Sequence, residues 1–171
     1  MLNNVSQFLN NINEYIGRTV AWLVLAMVLT TFAVVVLRYG FNSGSIAMQE
    51  SVVYLHSFMF MLAIGYTLKH EKHVRVDVFY QYFSARKKAW VNLLGHTFLS
   101  LPFCGFLIYI SWDYSANAWR LLEGSQEAGG LPLVFILKTL IPMMPALLGL
   151  QVVANMIDQL HHLLTTKQAS N

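Results

Sequence analysis

Charge is scarce in this sequence. Only 11% of its 171 residues are Asp, Glu, Lys or Arg, while 56% are hydrophobic. A soluble domain carries about 25% charged residues, so a water-soluble globule is excluded. A mean hydropathy of +0.51 points the same way, to an integral membrane protein. Cysteine is scarcer still. Cys104 stands alone inside an apolar run, which rules out an intrachain disulfide or a thiolate metal site and leaves it as a small packing residue. The net charge is +3 and the pI about 9.1, but the excess gathers around one loop, which suits an anionic membrane leaflet better than a nucleic acid. There is no nucleophile and base arrangement and no phosphate-cradling glycine loop, so no enzyme is expected. No Ala-x-Ala pattern closes the first apolar run, which therefore reads as a retained helix and not as a cleaved signal.

What is present is a set of four apolar runs bounded by charges, which predicts an all-α membrane protein forming a single membrane domain of four tilted helices. Residues 19–37 lie between Arg18 and Arg38 and carry no charge. At ~1.5 Å per helical residue they cover about 28 Å, close to the hydrocarbon thickness of a bilayer. Thr19, Ala26 and Ala33 recur every seven residues along this run, a stripe of small side chains suited to helix packing. The second span, 51–68, is bracketed by Glu50 and Lys69, and Ser45 or Asn42 is placed to cap its helix. The third, 89–112, runs from Lys88 to Asp113 and contains Pro102, which predicts a kink. The fourth, 131–157, has Pro132 in its first turn, Lys138 near one end where it can snorkel to the headgroups, and Pro142 and Pro145 further on. Residues 158–171 read as a polar tail. Ahead of the first span, Val5, Phe8, Leu9, Ile12 and Ile16 take helical spacing opposite Asn3, Asn4, Gln7, Asn10, Asn11, Asn13 and Glu14. Segment 2–16 is thus an amphipathic helix, either lying on the membrane surface or continuing the first span in a solvated state.

The central segment 69–88 holds six of the eleven Lys and Arg: Lys69, Lys72, Arg75, Arg86, Lys87 and Lys88. With four spans, both termini share its side, which then carries eight basic residues against Arg38, Arg120 and Lys138 on the other. The positive-inside rule puts the termini and the central loop in the cytoplasm and 113–130 on the outer side. Within the loop, Val76, Phe79, Tyr80 and Phe83 have i, i+3, i+4, i+7 spacing, so a short interfacial helix with an aromatic face is expected over 77–83, and Ser84 is placed to cap the next helix.

A transporter acting alone needs charged or broken helices in mid-membrane, and these spans hold no buried carboxylate. His56 and His96 raise the alternative of a haem-binding membrane cytochrome. They lie about 9 Å and about 12 Å from opposite faces of a ~30 Å core, an offset near 9 Å that one iron does not bridge. His70-x2-His73 and His161-His162 lack the carboxylates or thiolates that would complete a metal site, so no metal and no cofactor is expected. A small self-associating membrane protein, such as a minimal dimeric transporter, is the other alternative; it calls for a membrane carboxylate at its symmetry axis.

Certain residues carry a more specific signal. Arg38-Tyr39-Gly40-Phe41-Asn42 after the first span, Glu50 at the head of the second, His73-Val74-Arg75-Val76-Asp77 after it and Gly130-Leu131-Pro132 before the fourth resemble the pattern of the small, DctQ-like membrane subunit of tripartite ATP-independent periplasmic (TRAP) transporters. The likeness spans almost the whole chain. Met48 and Gln49 depart from it, standing where many relatives carry Trp. The resemblance implies a bacterial inner-membrane importer in which a periplasmic substrate-binding protein captures an organic acid, such as sialic acid or a C4-dicarboxylate. A large membrane subunit moves the acid with sodium, and the small subunit braces that large one, one to one, amid phospholipid. It also implies contacts with the partners through His73, Val74, Arg75, Val76, Asp77, Phe79 and Tyr80 on the cytoplasmic side. On the periplasmic side the corresponding residues are Arg38, Glu50, Glu123, Glu127, Gly130, Leu131 and Pro132.

Overall fold

Between Leu2 and Gly40 the sequence has no proline and, before its last residue, only Gly17 to weaken a helix, so one helix runs without interruption. In the computed structural model, which describes residues 2–70 and 80–168, this is α1 (Leu2–Gly40). It is followed by α2 (Ile46–Leu62), α3 (Ile64–Lys69), a 3-10 turn (Tyr80–Tyr82), α4 (Ala85–Gly95), α5 (Leu101–Arg120) and α6 (Val134–Gln168). Four stretches are long and apolar enough to cross a membrane: Asn4–Gly40, Ile46–Lys69, Arg86–Arg120 and Val134–His161. The all-α, four-span expectation is met.

The local departures each have a cause. The N-terminal segment is the first four turns of α1, so it continues the first span as one of the two expected alternatives has it; Asn4, Gln7 and Asn11 are exposed, but Asn10, Asn13 and Glu14 of its polar side turn into the bundle. Ser6, Asn13, Gly17 and Val20 share one face at helical spacing, and that face is buried. The second span is broken at Ala63, which stands between α2 and α3 with ψ −3°, and Ser45 caps α2 by accepting from the Met48 amide. Ser84 takes the N-cap position of α4 without a side-chain bond. The third span is interrupted by a π turn, His96–Ser100, in which the Leu101 amide donates to His96 five residues back. Pro102 follows at once, and the widened turn accommodates a ring that would clash with an ordinary preceding turn. Pro142 and Pro145 lie inside α6 without ending it, and the expected polar tail continues as helix to Gln168. The expected restart at Leu131-Pro132 comes later, at Val134, because Leu131 is held by the preceding loop, as described below. Of the short helix expected over 77–83, the described part is the turn Tyr80–Tyr82, closed by the Phe83 amide on Tyr80 O. The motif His73, Val74, Arg75, Val76 and Asp77, with Phe79, lies outside the described residues.

The core is organised on α6, which packs against α1, α2, α3, α4 and α5, while α1 also packs on α2 and α3. A third of its apolar stretch (33%) is buried, against 6% to 11% in the other three, which makes it the central helix. Leu140, Pro145, Leu147, Gln151, Val152 and Ala154 on α6 and Cys104, Ser111, Ser115 and Ala118 on α5 are buried.

Candidate functional site

Polar side chains inside the bundle collect at its two ends. At the end that holds the termini, α1 presents Ser6, Asn10 and Asn13 to a matching row on α6, Gln151, Asn155 and Asp158. Asn13 Nδ2 donates to Gln151 Oε1 at 3.0 Å and to Leu147 O at 3.4 Å, while Gln151 Nε2 donates to Asn10 Oδ1 at 2.6 Å and Asn155 Oδ1 at 2.9 Å. Ser6 Oγ donates to Asp158 Oδ1 at 2.5 Å and accepts from Asn10 Nδ2. Gln151 is fully buried, and Ser6 and Asn13 nearly so. Buried amides that satisfy one another are worth keeping because any one of them left alone would carry its full desolvation cost.

The helices come this close because two glycines let them. A Cβ on Gly65 of α3 would collide with the Asn13 amide, and one on Gly17 of α1 would collide with Tyr66. Asn13 Oδ1, which accepts no hydrogen bond among the described residues, lies against Gly65. Beside this row, Glu14 is the centre of a charged group. Lys69 Nζ donates to Glu14 Oε2 at 2.7 Å and to Asn10 O at 3.2 Å, His70 Nε2 lies 2.9 Å from the same carboxylate oxygen, and Arg18 Nε donates to Oε1 at 2.7 Å. Thus α3 is tied to α1 by an ion pair that is three-quarters or more withdrawn from solvent.

The opposite end is built from a loop. Glu50, in the first turns of α2, takes hydrogen bonds from Ser125 Oγ and, at 2.6 Å, from the Leu131 amide. Ser125 in turn donates its amide to Leu131 O and accepts from the Glu127 amide, and the Gly130 amide closes on Glu127 O. A Cβ on Gly130 would strike Ser125 and crowd the Glu50 carboxylate, and one on Gly124 would sit 3.3 Å from Pro132. Next to this clamp, Lys138 Nζ donates to both oxygens of Glu123 at 2.7 and 2.6 Å and lies 4.1 Å from the centre of the Tyr114 ring. Trp119 donates from Nε1 to Thr139 Oγ1 at 2.7 Å and meets Phe135 edge-on, joining α5 to α6.

The residues that the sequence singled out for partner contacts therefore divide. Glu50, Gly130 and Leu131 are brought together in the loop clamp, and Glu123 is held by Lys138. Pro132, although exposed, lies against Gly124, and Arg38 and Glu127 are exposed. Tyr80 accepts from Asn92 Nδ2 at 2.9 Å and sits 5.3 Å below the Lys88 ammonium. Of the packing stripe, Ala26 and Ala33 are half-buried, and Thr19 is exposed with its hydroxyl turned to its own helix at Tyr15 O. His56 is exposed on α2 and stacked on Phe60, whereas His96 lines a small polar pocket of about 190 Å³ with Lys69, Asn92, Asn155, Asp158 and Gln159. Sequence reasoning missed the inner row. Its signal was there in Ser6, Asn10 and Asn13 and in Gln151, Asn155 and Asp158, each set spaced by three or four residues on one helix face.

Outside, the bundle is apolar. Trp22, Leu25, Leu29 and Phe32 on α1 and Phe103, Phe106, Tyr109 and Ile110 on α5 are more than half exposed. Two grooves on its flanks, one lined by Met27, Thr31, Phe32, Val35 and Val52 and one by Trp112, Ser115, Trp119, Thr139 and Pro142, are nearly all apolar.

Comparison with known proteins agrees with this architecture. The chain is 31% identical over 110 residues to the C4-dicarboxylate TRAP transporter small permease protein DctQ of Vibrio cholerae serotype O1, a match covering 64% of this chain and 46% of that protein. The chain thus matches a little under half the length of this curated relative. No solved structure matches it. The family described as tripartite ATP-independent periplasmic transporters, DctQ component, matches residues 27–162, most of the chain, and the protein belongs to that family.

Proposed function

We propose that this protein is the small scaffold subunit of a bacterial inner-membrane TRAP transporter that imports an organic acid with sodium. In this reading it binds a large permease subunit one to one and widens the fixed frame against which the substrate-carrying part of that subunit moves. Both termini and the basic loop face the cytoplasm, and the loop clamp faces the periplasm, as the distribution of Lys and Arg supports.

One observation carries the reading. Among the described residues, the networks of polar side chains that join one helix to another lie at the two ends of the bundle, the buried Tyr54 hydroxyl and Asn13 Oδ1 standing without a partner, while α1 and α5 turn large apolar side chains outward. A body tied at both ends and greasy on its flanks is suited to bracing a neighbour in the bilayer. A conduit needs the reverse, with polar groups free to meet a solute at mid-depth. The organic-acid class rests on the relative from Vibrio cholerae, whose name specifies C4-dicarboxylates. Arg75 and Asp77 are proposed as cytoplasmic contacts with the large subunit.

The test is reconstitution. Alone in liposomes the chain shows no sodium-driven uptake; with the large subunit and the soluble binding protein it supports uptake, and it co-purifies with the large subunit in equal amounts. Robust uptake by this chain alone sinks the scaffold reading. The paired change Arg75→Ala and Asp77→Ala lowers recovery of the large subunit, and equal recovery removes the motif from the interface.

A further inference from the structure

Helix α2 shows the outside of the bundle a single file of side chains. Of its 17 residues, the exposed ones are Ile46, Gln49, Val53, His56 and Phe60, each three or four positions after the one before. The flank of α1 is broader, with exposed residues in adjacent pairs: Val24 with Leu25, Val28 with Leu29 and Val35 with Val36. A broad apolar face suits lipid. A file one residue wide that repeats every ~3.5 positions is the pattern that receives one further helix at a shallow crossing angle.

The file is also not all apolar. His56 lies six residues inside Glu50 and thirteen inside Lys69, ~9 Å and ~20 Å along the helix. Val52, one turn before it, shares a groove with Met27, Val28 and Thr31, in the middle of the chargeless run of α1. The imidazole is therefore at hydrocarbon depth. Hydroxyls at that depth satisfy themselves, for Thr30, Thr31 and Ser57 each donate at 2.8 Å to the carbonyl four residues back. His56 stacks on Phe60, with 6.0 Å between ring centres, but makes no hydrogen bond among the described residues. A neutral imidazole carries one N–H donor and one acceptor nitrogen, and acyl chains offer a partner to neither.

We propose that Gln49, Val53, His56 and Phe60 form the seam that receives a membrane helix of the large permease subunit, and that this helix places a side-chain oxygen where it accepts from the His56 ring N–H. The occupant is a helix because of the spacing, and it is embedded in the membrane because of the depth. The assignment rests on the functional reading above, which gives the chain one large membrane partner, and it deepens that reading by naming the face and its polar contact. An ionisable or polar group set at mid-depth on an outer face belongs with a protein partner and not with lipid.

Photo-crosslinking tests the seam in the intact two-subunit complex. With p-benzoylphenylalanine in place of Val53 or Phe60, illumination joins one small subunit to one large subunit; a dimer of small subunits, or adducts with lipid alone, overturns the proposal. The polar contact is tested by substitution in the same complex. His56→Phe keeps a ring beside Phe60 but removes the donor, and it weakens retention of the large subunit about threefold, the usual size of one hydrogen bond between membrane helices. His56→Gln, which keeps a donor and an acceptor, stays near wild type, and neither change lowers the thermal midpoint of the small subunit by itself. Retention in His56→Phe equal to wild type overturns the contact, and a lowered midpoint of the isolated subunit assigns His56 to the fold instead. If the wild-type chain recovers no large subunit, the functional reading fails first; if the complex forms and the adduct does not, this assignment alone fails.

Discussion

The two ends of the bundle solve one problem with opposite materials. At the end with the termini, helices lie side by side and neutral amides from α1 and α6 bond across the gap, sealed by glycines that bring the backbones close. At the other end a loop folds back over a helix start, and carboxylates hold it: Glu50 gathers Ser125 and the Leu131 amide, and Glu123 takes Lys138. The first junction is buried at its centre and, apart from the exposed Asp158 carboxylate at its edge, uncharged, and the strength of its buried part comes from the absence of any alternative partner for its groups. The second is partly exposed, so water competes for each bond. One therefore fixes helix against helix, while the other only shapes a surface.

If that contrast is right, the inner row fails more severely than the loop clamp. Gln151→Leu leaves Asn10 Oδ1 and Asn155 Oδ1 without their donor and Asn13 Nδ2 with only its long bond to Leu147 O. Orphaning two half-buried acceptors and weakening one buried donor costs about 3 kcal/mol, enough to lower the thermal midpoint of the detergent-solubilised protein well below wild type. Gly65→Ala attacks the same junction from the other side, pushing a methyl group into the Asn13 amide, and costs about 2 kcal/mol by overpacking. The double change costs less than the two together, because each disturbs the same amide. Strict additivity would mean the row is not one unit.

The helices were legible because each apolar run is flanked by charges at bilayer spacing, and the Ser45 cap and the disturbance near Pro102 were legible from residue chemistry. The inner row was not. The pattern of segment 2–16 shows that one face is polar, but it is silent on whether that face meets water or another helix, and its partners on α6 lie more than 130 residues away. The break at Ala63 has no proline to announce it, and Pro102 predicts an interrupted helix without saying that the interruption is a π turn ahead of it. Glu50, Gly130, Leu131 and Glu123 stand out in the sequence as candidates for contact with another protein; within the chain Glu50 takes the Leu131 amide beside Gly130, and Glu123 takes Lys138. Loop closure of this kind depends on backbone amides, whose positions no residue pattern encodes.

The loop clamp gives a smaller and more local effect. Glu50→Gln keeps the shape of the side chain but replaces charge-assisted hydrogen bonds from Ser125 and Leu131 with neutral ones. The thermal midpoint shifts less than in Gln151→Leu, while hydrogen exchange at the Leu131 amide speeds up by about tenfold, the consequence of weakening one strong bond. A collapse of the whole fold in Glu50→Gln would erase the distinction between the ends.

The smallest effect tests whether the charged group around Glu14 belongs to the inner row or merely lies beside it. Arg18 and Lys69 both reach Glu14 at 2.7 Å, yet the Arg18 side chain is 75% exposed and one turn away on the same helix, while Lys69 is 23% exposed and comes from α3. An exposed pair within one helix adds little, because solvent screens it and the helix exists without it. A pair that also donates to Asn10 O, next to the buried row, links two elements. Arg18→Gln should therefore leave the thermal midpoint unchanged within error, and Lys69→Gln should lower it slightly but measurably, with faster exchange confined to α3. Equal, null results for both would assign the junction of α3 with α1 to the glycines and amides alone, which would make the contrast between an uncharged end and a charged one sharper still.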